Sequence, residues 1–407
     1  MPCEWTERRT CRTYWTETLA KEVISKFDQL KKDAPDLVEM VELIEDPDAL
    51  REKCRVKDSC LGAISSDCAS LWPYKLITFI LERAIKSGLN LQTNTPVIKI
   101  DNIEDPTSSY RQLVQTSRGT IKARHLILAT NGYTSYLLPE FNDLIVPERG
   151  TMSALLPPKG STHLAYSHGF KGTKGSDPSH DDYLTQRPFE GVPNPRGHLM
   201  YGGGQNFAQQ VTLGTSDDSF LDDGCATYLR RELLHLLDFD GETNGMEELE
   251  ATHQWSGIWG TSRDGSPWVG AVPDREGVWL VGGYSGESDT SITFEFYIVK
   301  DEADVDMAGH GMPNGTLCGK AAVEMVLAEE SGASLVESQD KLVKNDELPQ
   351  CYLVSKERMD GAEKMDPILT QQLKKYAKYM DQAPRHVVEA MMEQDIKPSG
   401  MHRSSIA

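Results

Sequence analysis

Apolar residues change their spacing several times along this chain, and each change marks an expected element. From Thr16 onward Leu19, Val23, Ile24, Phe27 and Leu30 recur at helix spacing, and a second, acidic helical stretch is expected near Asp36–Leu43. Ser70-Leu-Trp-Pro73 opens a stronger helix. Proline suits a first turn because its missing N–H has no partner there, Leu76, Ile77, Ile80, Leu81 and Ile85 make a face expected to be buried, and Gly88 ends it. The period then shortens. Leu89–Gln92 and Val97–Ile100 read as strands, Arg111–Thr116 and Thr120–Ala123 read as a hairpin around Ser117-Arg118-Gly119, and His125–Ala129 reads as a short buried strand. Over residues 145–300 short strands alternate with Gly/Pro turns, at Gly150–Leu156, Asp182–Arg187, His198–Tyr201 and Trp279–Val281. One helix, near Ala226–Leu237, interrupts them. That mixture predicts an antiparallel sheet with helices on one side. A helix over Gly315–Ala328 precedes a polar tail with helical fragments near Leu369–Tyr379 and Arg385–Met392. The first fifteen residues, MPCEWTERRTCRTYW, show neither an apolar period nor strand alternation.

Composition narrows the function classes. The 407 residues carry a formal net charge of -20, which argues against nucleic acid, whose phosphates need a basic surface, and against an anionic membrane. No apolar run reaches the roughly 18 residues of a membrane span, and no basic-then-apolar leader opens the chain, so the expected compartment is cytoplasmic. The eight cysteines form no C-x-x-C pair, and Cys54, Cys60 and Cys68 fit no common zinc spacing. Reduced, mostly buried thiols and no metal are the expectation.

Four stretches carry chemistry. Asn94-Thr-Pro-Val97 is extended. Leu126-Ile-Leu-Ala129-Thr130-Asn131-Gly132 is an apolar strand ending in small residues, where backbone can approach a phosphate or ribityl chain closely. Trp255–Gly260 precedes Asp264-Gly-Ser-Pro267. The fourth is split between Val281-Gly-Gly-Tyr-Ser-Gly286 and Gly309-His310-Gly311-Met312-Pro313.

In this order ASLWPYKL, NTPV, LILATNGYTS, VPERG, DYLTQRP, HQWSGIWGTSRDGSPWVG and GHGMP resemble the D-amino-acid-oxidase superfamily, and within it proteins similar to gamma-glutamylputrescine oxidoreductase. The resemblance implies an α/β fold class: a Rossmann-like FAD-binding half, here incomplete, joined to an α+β substrate part on an antiparallel sheet. It implies FAD as cofactor, with Val97 at the adenine end, Ala129, Thr130, Asn131 and Gly132 along the dinucleotide, and Gly286, Gly309, His310, Gly311 and Met312 beside the flavin. Substrate, a small amine or amino acid, is expected near Trp72, Tyr183, Arg187 and Trp259. A C–N bond is oxidised by hydride transfer, with O2 as acceptor. The alternative is an inactive remnant of the same fold acting as a binding module.

Two departures follow from the resemblance. The sequence contains no Gly-x-Gly-x-x-Gly turn, whose helix N-terminus holds the pyrophosphate in such proteins. Read one base out of frame, Glu4–Cys11 can encode Ser/Asn-Gly-Arg-Asn-Gly-Gly-His, so residues 1–15 are expected to be a non-family leader and the chain to be truncated. Glu287–Gly309 breaks the flavin motif with seven carboxylates against Lys300, and a retained intron is expected there. The expected organisation is a leader over 1–15, an oxidoreductase domain over 16–330 with the 287–309 insert, and a tail over 331–407.

Overall fold

The computed structural model describes residues 3–173, 181–191, 196–284 and 311–371. The strands are β1 (Thr6–Tyr14), β2 (Val41–Ile44), β3 (Gly62–Ser70), β4 (Val97–Asn102), β5 (Gln112–Thr116), β6 (Gly119–Ala123), β7 (Leu126–Leu128), β8 (Ile145–Leu155), β9 (Tyr166–Lys171), β10 (Asp181–Gln186), β11 (Leu199–Gly202), β12 (Ala251–Ser262), β13 (Trp268–Ala271) and β14 (Val278–Gly282). The longer helices are α1 (Glu17–Asp33), α2 (Pro73–Lys86), α3 (Asp223–Leu236), α4 (Gly311–Glu330), α5 (Leu335–Lys344) and α6 (Lys356–Lys364).

Eight strands form one sheet in the order β12-β8-β11-β10-β9-β1-β3-β2. All neighbours are antiparallel except β1 and β9. Successive side chains point to opposite faces. On one face Cys11, Leu155, Phe170, Leu184 and Tyr201 pack under Leu229, Leu233 and Leu236 of α3. The other face carries Met152, Tyr183, Trp255 and Trp259. Two smaller sheets complete the chain: β13-β14-β7, with β14 and β7 parallel, and the meander β4-β5-β6. Strand β14 (VWLVG) is buried along its length because α4 covers it, with Trp279 and Val281 against Cys318, Ala322 and Met325. The architecture is mixed α/β, as expected.

Several local expectations change. Thr6–Tyr14 is a strand inside the large sheet. Its lack of apolar alternation has a physical reason: the polar side chains find partners across strands, Arg9 on Asp67 and Ser65, Arg8 on Ser70 and the Gln186 carbonyl. Asp36–Leu43 is not one helix: a single turn at Pro35–Val38 gives way to β2. Leu89–Gln92 forms no strand. Helix α2 begins at Pro73 as expected, yet none of its residues is buried, and Ile77 (54%), Ile80 (50%) and Ile85 (46%) stay exposed. Helix α4 starts at Gly311 rather than Gly315. The thiols are not all reduced. Cys11 and Cys54, both fully buried, are bonded with their Cα atoms 6.3 Å apart. A spacing of 43 residues carries no local signal for such a bond. Among the described residues no helix is long and apolar enough to cross a membrane, and no group of side chains could hold a metal ion.

Candidate functional site

The β7 strand ends in Ala129-Thr-Asn-Gly132, and this turn is the joint between the small parallel sheet and the large one. Asn131 adopts φ +43°, a left-handed conformation that asparagine tolerates better than most residues. Its Oδ1 accepts the backbone N–H of Gly283 at 3.0 Å and of Tyr284 at 2.9 Å, so the end of β7 is tied to the end of β14. Gly283, at φ +77°, lets the chain turn there beneath Trp268. Gly132 is required by close approach: a Cβ would overlap the Trp259 carbonyl oxygen and lie 2.9 Å from Ile258 Cγ2. The turn thus seats directly on β12. Ala129 is exposed, and Thr130 and Asn131 are half-buried.

Beside this joint the open face of the large sheet is paved with flat side chains. The Trp259 ring crosses Gly150, where a Cβ would overlap it, while Met152 and the Tyr183 ring lie over Gly202 in the same way. Glycine at these two positions removes the side chain that would otherwise prop the rings up. Trp259 pairs with Glu148 across β12 and β8. Glu148 Oε2 accepts the Thr261 hydroxyl at 2.7 Å and the Trp259 indole N–H at 3.3 Å.

Trp72 and Arg187 also come together, in a second cluster. The Arg187 guanidinium lies 4.5 Å from the Trp72 ring centre and donates to Glu4 at 3.1 Å; Lys75 sits 4.4 Å from the same ring and donates to Glu4 at 2.8 Å. Burial raises the Glu4 carboxyl, and the hydrogen bonds from Lys75 and Arg187 more than offset it, so it is held below the usual carboxylate range. Arg187 directly follows β10, four residues beyond Tyr183 and about 13 Å from it at the usual strand rise. The expected substrate residues therefore fall into two groups. Val97 opens β4 and packs against the apolar cluster that holds Ile100 and Leu128, which links it to the foot of β7. Gly311 and Met312 open α4. Gly286, Gly309 and His310 lie outside the described residues.

Three carboxylates, one on each face of the large sheet and one beside Trp72, were missed by sequence reasoning. Glu148, Glu4 and Asp182 read as ordinary surface carboxylates. Asp182 is fully buried, its Oδ2 accepting Tyr201 and Tyr228 hydroxyls at 2.7 Å each and its Oδ1 the Gly204 N–H at 2.8 Å. Burial and then the Asp182 charge push both phenols well above their ordinary range. The Gly202-Gly-Gly204 run beside it was the available signal, since Gly203, at φ +127°, admits no Cβ against Asp182.

Comparison with known proteins gives a consistent assignment. The family model described as FAD dependent oxidoreductase (DAO) matches residues 1–293, a span that includes β1. The probable oxidoreductase OrdL of Rhizobium meliloti (strain 1021) is 23% identical over 275 residues, 68% of this chain and 51% of the relative, so the chain spans about half the length of this curated relative. Among solved structures, glycine oxidase from Geobacillus kaustophilus superposes with a TM-score of 0.53 at 21% identity, covering 69% of this chain and 66% of that one. A modified fructosyl peptide oxidase from Aspergillus nidulans gives 0.54 at 13%, covering 69% and 67%. At these identities the solved structures establish the fold alone.

Proposed function

This chain belongs to the DAO family of FAD-dependent oxidoreductases, and on that premise we propose that it oxidises a C–N bond of a small amine or amino acid, with O2 as the terminal acceptor. The observation that carries the reading is the joint at Asn131 and Gly132, where the expected dinucleotide strand abuts the aromatic face of the large sheet. The residues present fit one wall of an FAD site. Ala129–Gly132 is a turn of small residues with Ala129 exposed, and Asn131 holds it against the Gly283 turn. Val97 packs against the apolar cluster to which Leu128 of the same strand belongs. The Gly-x-Gly-x-x-Gly pattern of a pyrophosphate turn does not occur in these 407 residues.

FAD, when bound, supplies the hydride acceptor, and O2 leaves with the two electrons and two protons as hydrogen peroxide. The protein's part is placement. Trp259, Met152 and Tyr183 form a flat floor that excludes water from one side of a bound molecule and presents its C–H bond toward the joint. The Trp72, Lys75, Glu4 and Arg187 cluster closes the far end of β10 and keeps two cations engaged away from that floor. In this reading the large sheet with α3 is the substrate part, and the two small sheets with α4 are the dinucleotide part.

The full chain incubated with FAD and freed of excess cofactor should keep a visible flavin spectrum. Under nitrogen that spectrum should bleach with one class among primary amines, N-methyl amino acids and D-amino acids, and admitting O2 should release peroxide. A colourless protein that forms no peroxide with any of them refutes the proposal. The second reading, a binding module without turnover, is favoured by the exposed isoleucine stripe of α2. It requires saturable amine binding with no flavin reduction.

A further inference from the structure

Just ahead of β1, Glu4 holds a left-handed backbone, φ +59°, which strains a residue with a Cβ and suits glycine. The main chain is fixed on both sides of the strain. The Cys3 carbonyl accepts the Trp72 N–H at 2.7 Å, and the Glu4 carbonyl accepts the Thr6 hydroxyl at 3.2 Å. The Glu4 side chain is turned inward and is only 8% exposed. Arg187 meets its carboxylate as a fork, Nε on Oε2 at 3.3 Å and Nη2 on Oε1 at 3.1 Å, and Lys75 Nζ donates to Oε1 at 2.8 Å. Both cations have anchors other than Glu4. Each lies against the Trp72 ring, Arg187 at 4.5 Å and Lys75 at 4.4 Å from its centre. The Arg187 N–H is held by the His198 carbonyl at 2.8 Å, and Lys75 stands in the first turn of α2. With the carboxylate gone, a guanidinium fork and an ammonium stay aimed at one point beside an indole. The surroundings are cationic too, in a chain of net charge -20. Arg8 donates to the carbonyl of Gln186, next to Arg187, and burial followed by the charges of Arg187 and Arg196 holds His198 below its ordinary pKa.

We propose that Trp72, Lys75 and Arg187 form an exchangeable carboxylate-binding site, and that Glu4 is its tethered occupant, displaced by a small aliphatic carboxylate. The resident side chain names the class of ligand. Glu4 presents a carboxylate on two methylene groups, so a free carboxylate on a short apolar stem reproduces what the cradle already holds. Displacement exchanges one set of charge-assisted bonds to Arg187 and Lys75 for another, and returns rotamer freedom to a long side chain. The backbone need not move, because Cys3 and Thr6 hold it independently of the carboxylate. A short tether gives its group a local concentration in the millimolar range or above, so free carboxylates compete with Glu4 at comparable concentrations. The site lies beyond β10, about 13 Å from Tyr183, and its occupancy is independent of the oxidase reading.

The test uses the full chain, titrated calorimetrically at constant ionic strength with sodium acetate and with sodium chloride. Glu4→Ala deletes one methylene and the carboxylate, which is what acetate supplies. That variant, checked for an unaltered far-ultraviolet dichroism spectrum, should bind acetate saturably and about tenfold or more tighter than the native chain does. Acetate should also raise the urea midpoint of the variant toward the native value, and chloride should do neither. Adding Arg187→Met to Glu4→Ala should weaken acetate by about tenfold or more; where that double variant unfolds, Lys75→Met makes the same test. Should Glu4→Ala itself fail to fold, Glu4→Gly adopts φ +59° without strain and should take propionate, which replaces the whole deleted side chain. No saturable carboxylate binding in a folded Glu4 variant, equal affinity in native and variant chains, or binding unchanged by loss of Arg187 or Lys75 overturns the proposal. Chloride matching acetate marks an adventitious ion only and overturns it as well.

Discussion

Replacing Asn131 separates what its side chain does from what its backbone does. In the native chain Oδ1 takes two N–H groups, one buried at Gly283 and one half-buried at Tyr284. An unpaired buried donor costs about 1–3 kcal/mol, so losing both costs roughly 2–4 kcal/mol, the lower part of the range applying to Tyr284. The left-handed φ adds about 1 kcal/mol for a residue with a Cβ and no local hydrogen bond. Asn131→Ala should therefore lose about 3–5 kcal/mol, and Asn131→Gly about 2–4 kcal/mol, because glycine adopts that φ freely but accepts nothing. Asn131→Asp keeps an acceptor at the same reach and should lose about 1 kcal/mol or less. Urea unfolding of the four proteins gives the ranking, and flavin retention after gel filtration should follow it, since the tie holds the two walls of the joint together. Equal loss in the Ala and Asp variants, or a Gly variant as stable as the native chain, refutes the assignment of Asn131 as that tie.

Other outcomes follow from particular contacts. Gly150→Ala places a methyl into the Trp259 ring, and should cost about 1–3 kcal/mol in urea unfolding and shift the tryptophan emission; an unchanged spectrum argues against the flat ring. Asp182→Asn puts an amide donor where each carboxylate oxygen receives donors, and should lower stability by about 2–3 kcal/mol, visible as a fall in Tm. His168 is fully buried, stacks on Phe170 and hydrogen-bonds the Cys54 carbonyl at 2.7 Å; burial takes its pKa from the ordinary 6.5 down to about 4. Between those values the unfolded chain binds a proton that the folded chain refuses. Stability is therefore lost as pH falls from neutrality and levels off below pH 4, by about 3 kcal/mol in all. A His168→Asn variant should show a correspondingly flatter dependence of urea midpoint on pH, and an identical slope would count against it.

The sequence alone determined those features that rest on neighbours in the chain. Proline at the first turn and a 3.6-residue apolar period place α2. The Ser117-Arg118-Gly119 turn places the β5–β6 hairpin, and the apolar run before Asn131 places β7. The ordered motifs were enough to indicate the family because each is a local stretch. Tertiary structure decided what rests on partners distant in sequence. β1 is a strand because its arginines meet Asp67, Ser65, Ser70 and Gln186, none of which a local period reveals. The apolar stripe of α2 predicts burial, yet exposure depends on what packs against a helix, and its isoleucines remain uncovered among the described residues. Asp182 and Glu148 are both acidic residues in polar stretches. Only the sheet register, which sets one under α3 against two phenols and the other beside Trp259, separates a buried structural carboxylate from one oriented on an open aromatic face. Side-chain periodicity reports which way a residue points, and it takes the whole sheet to determine what it points at.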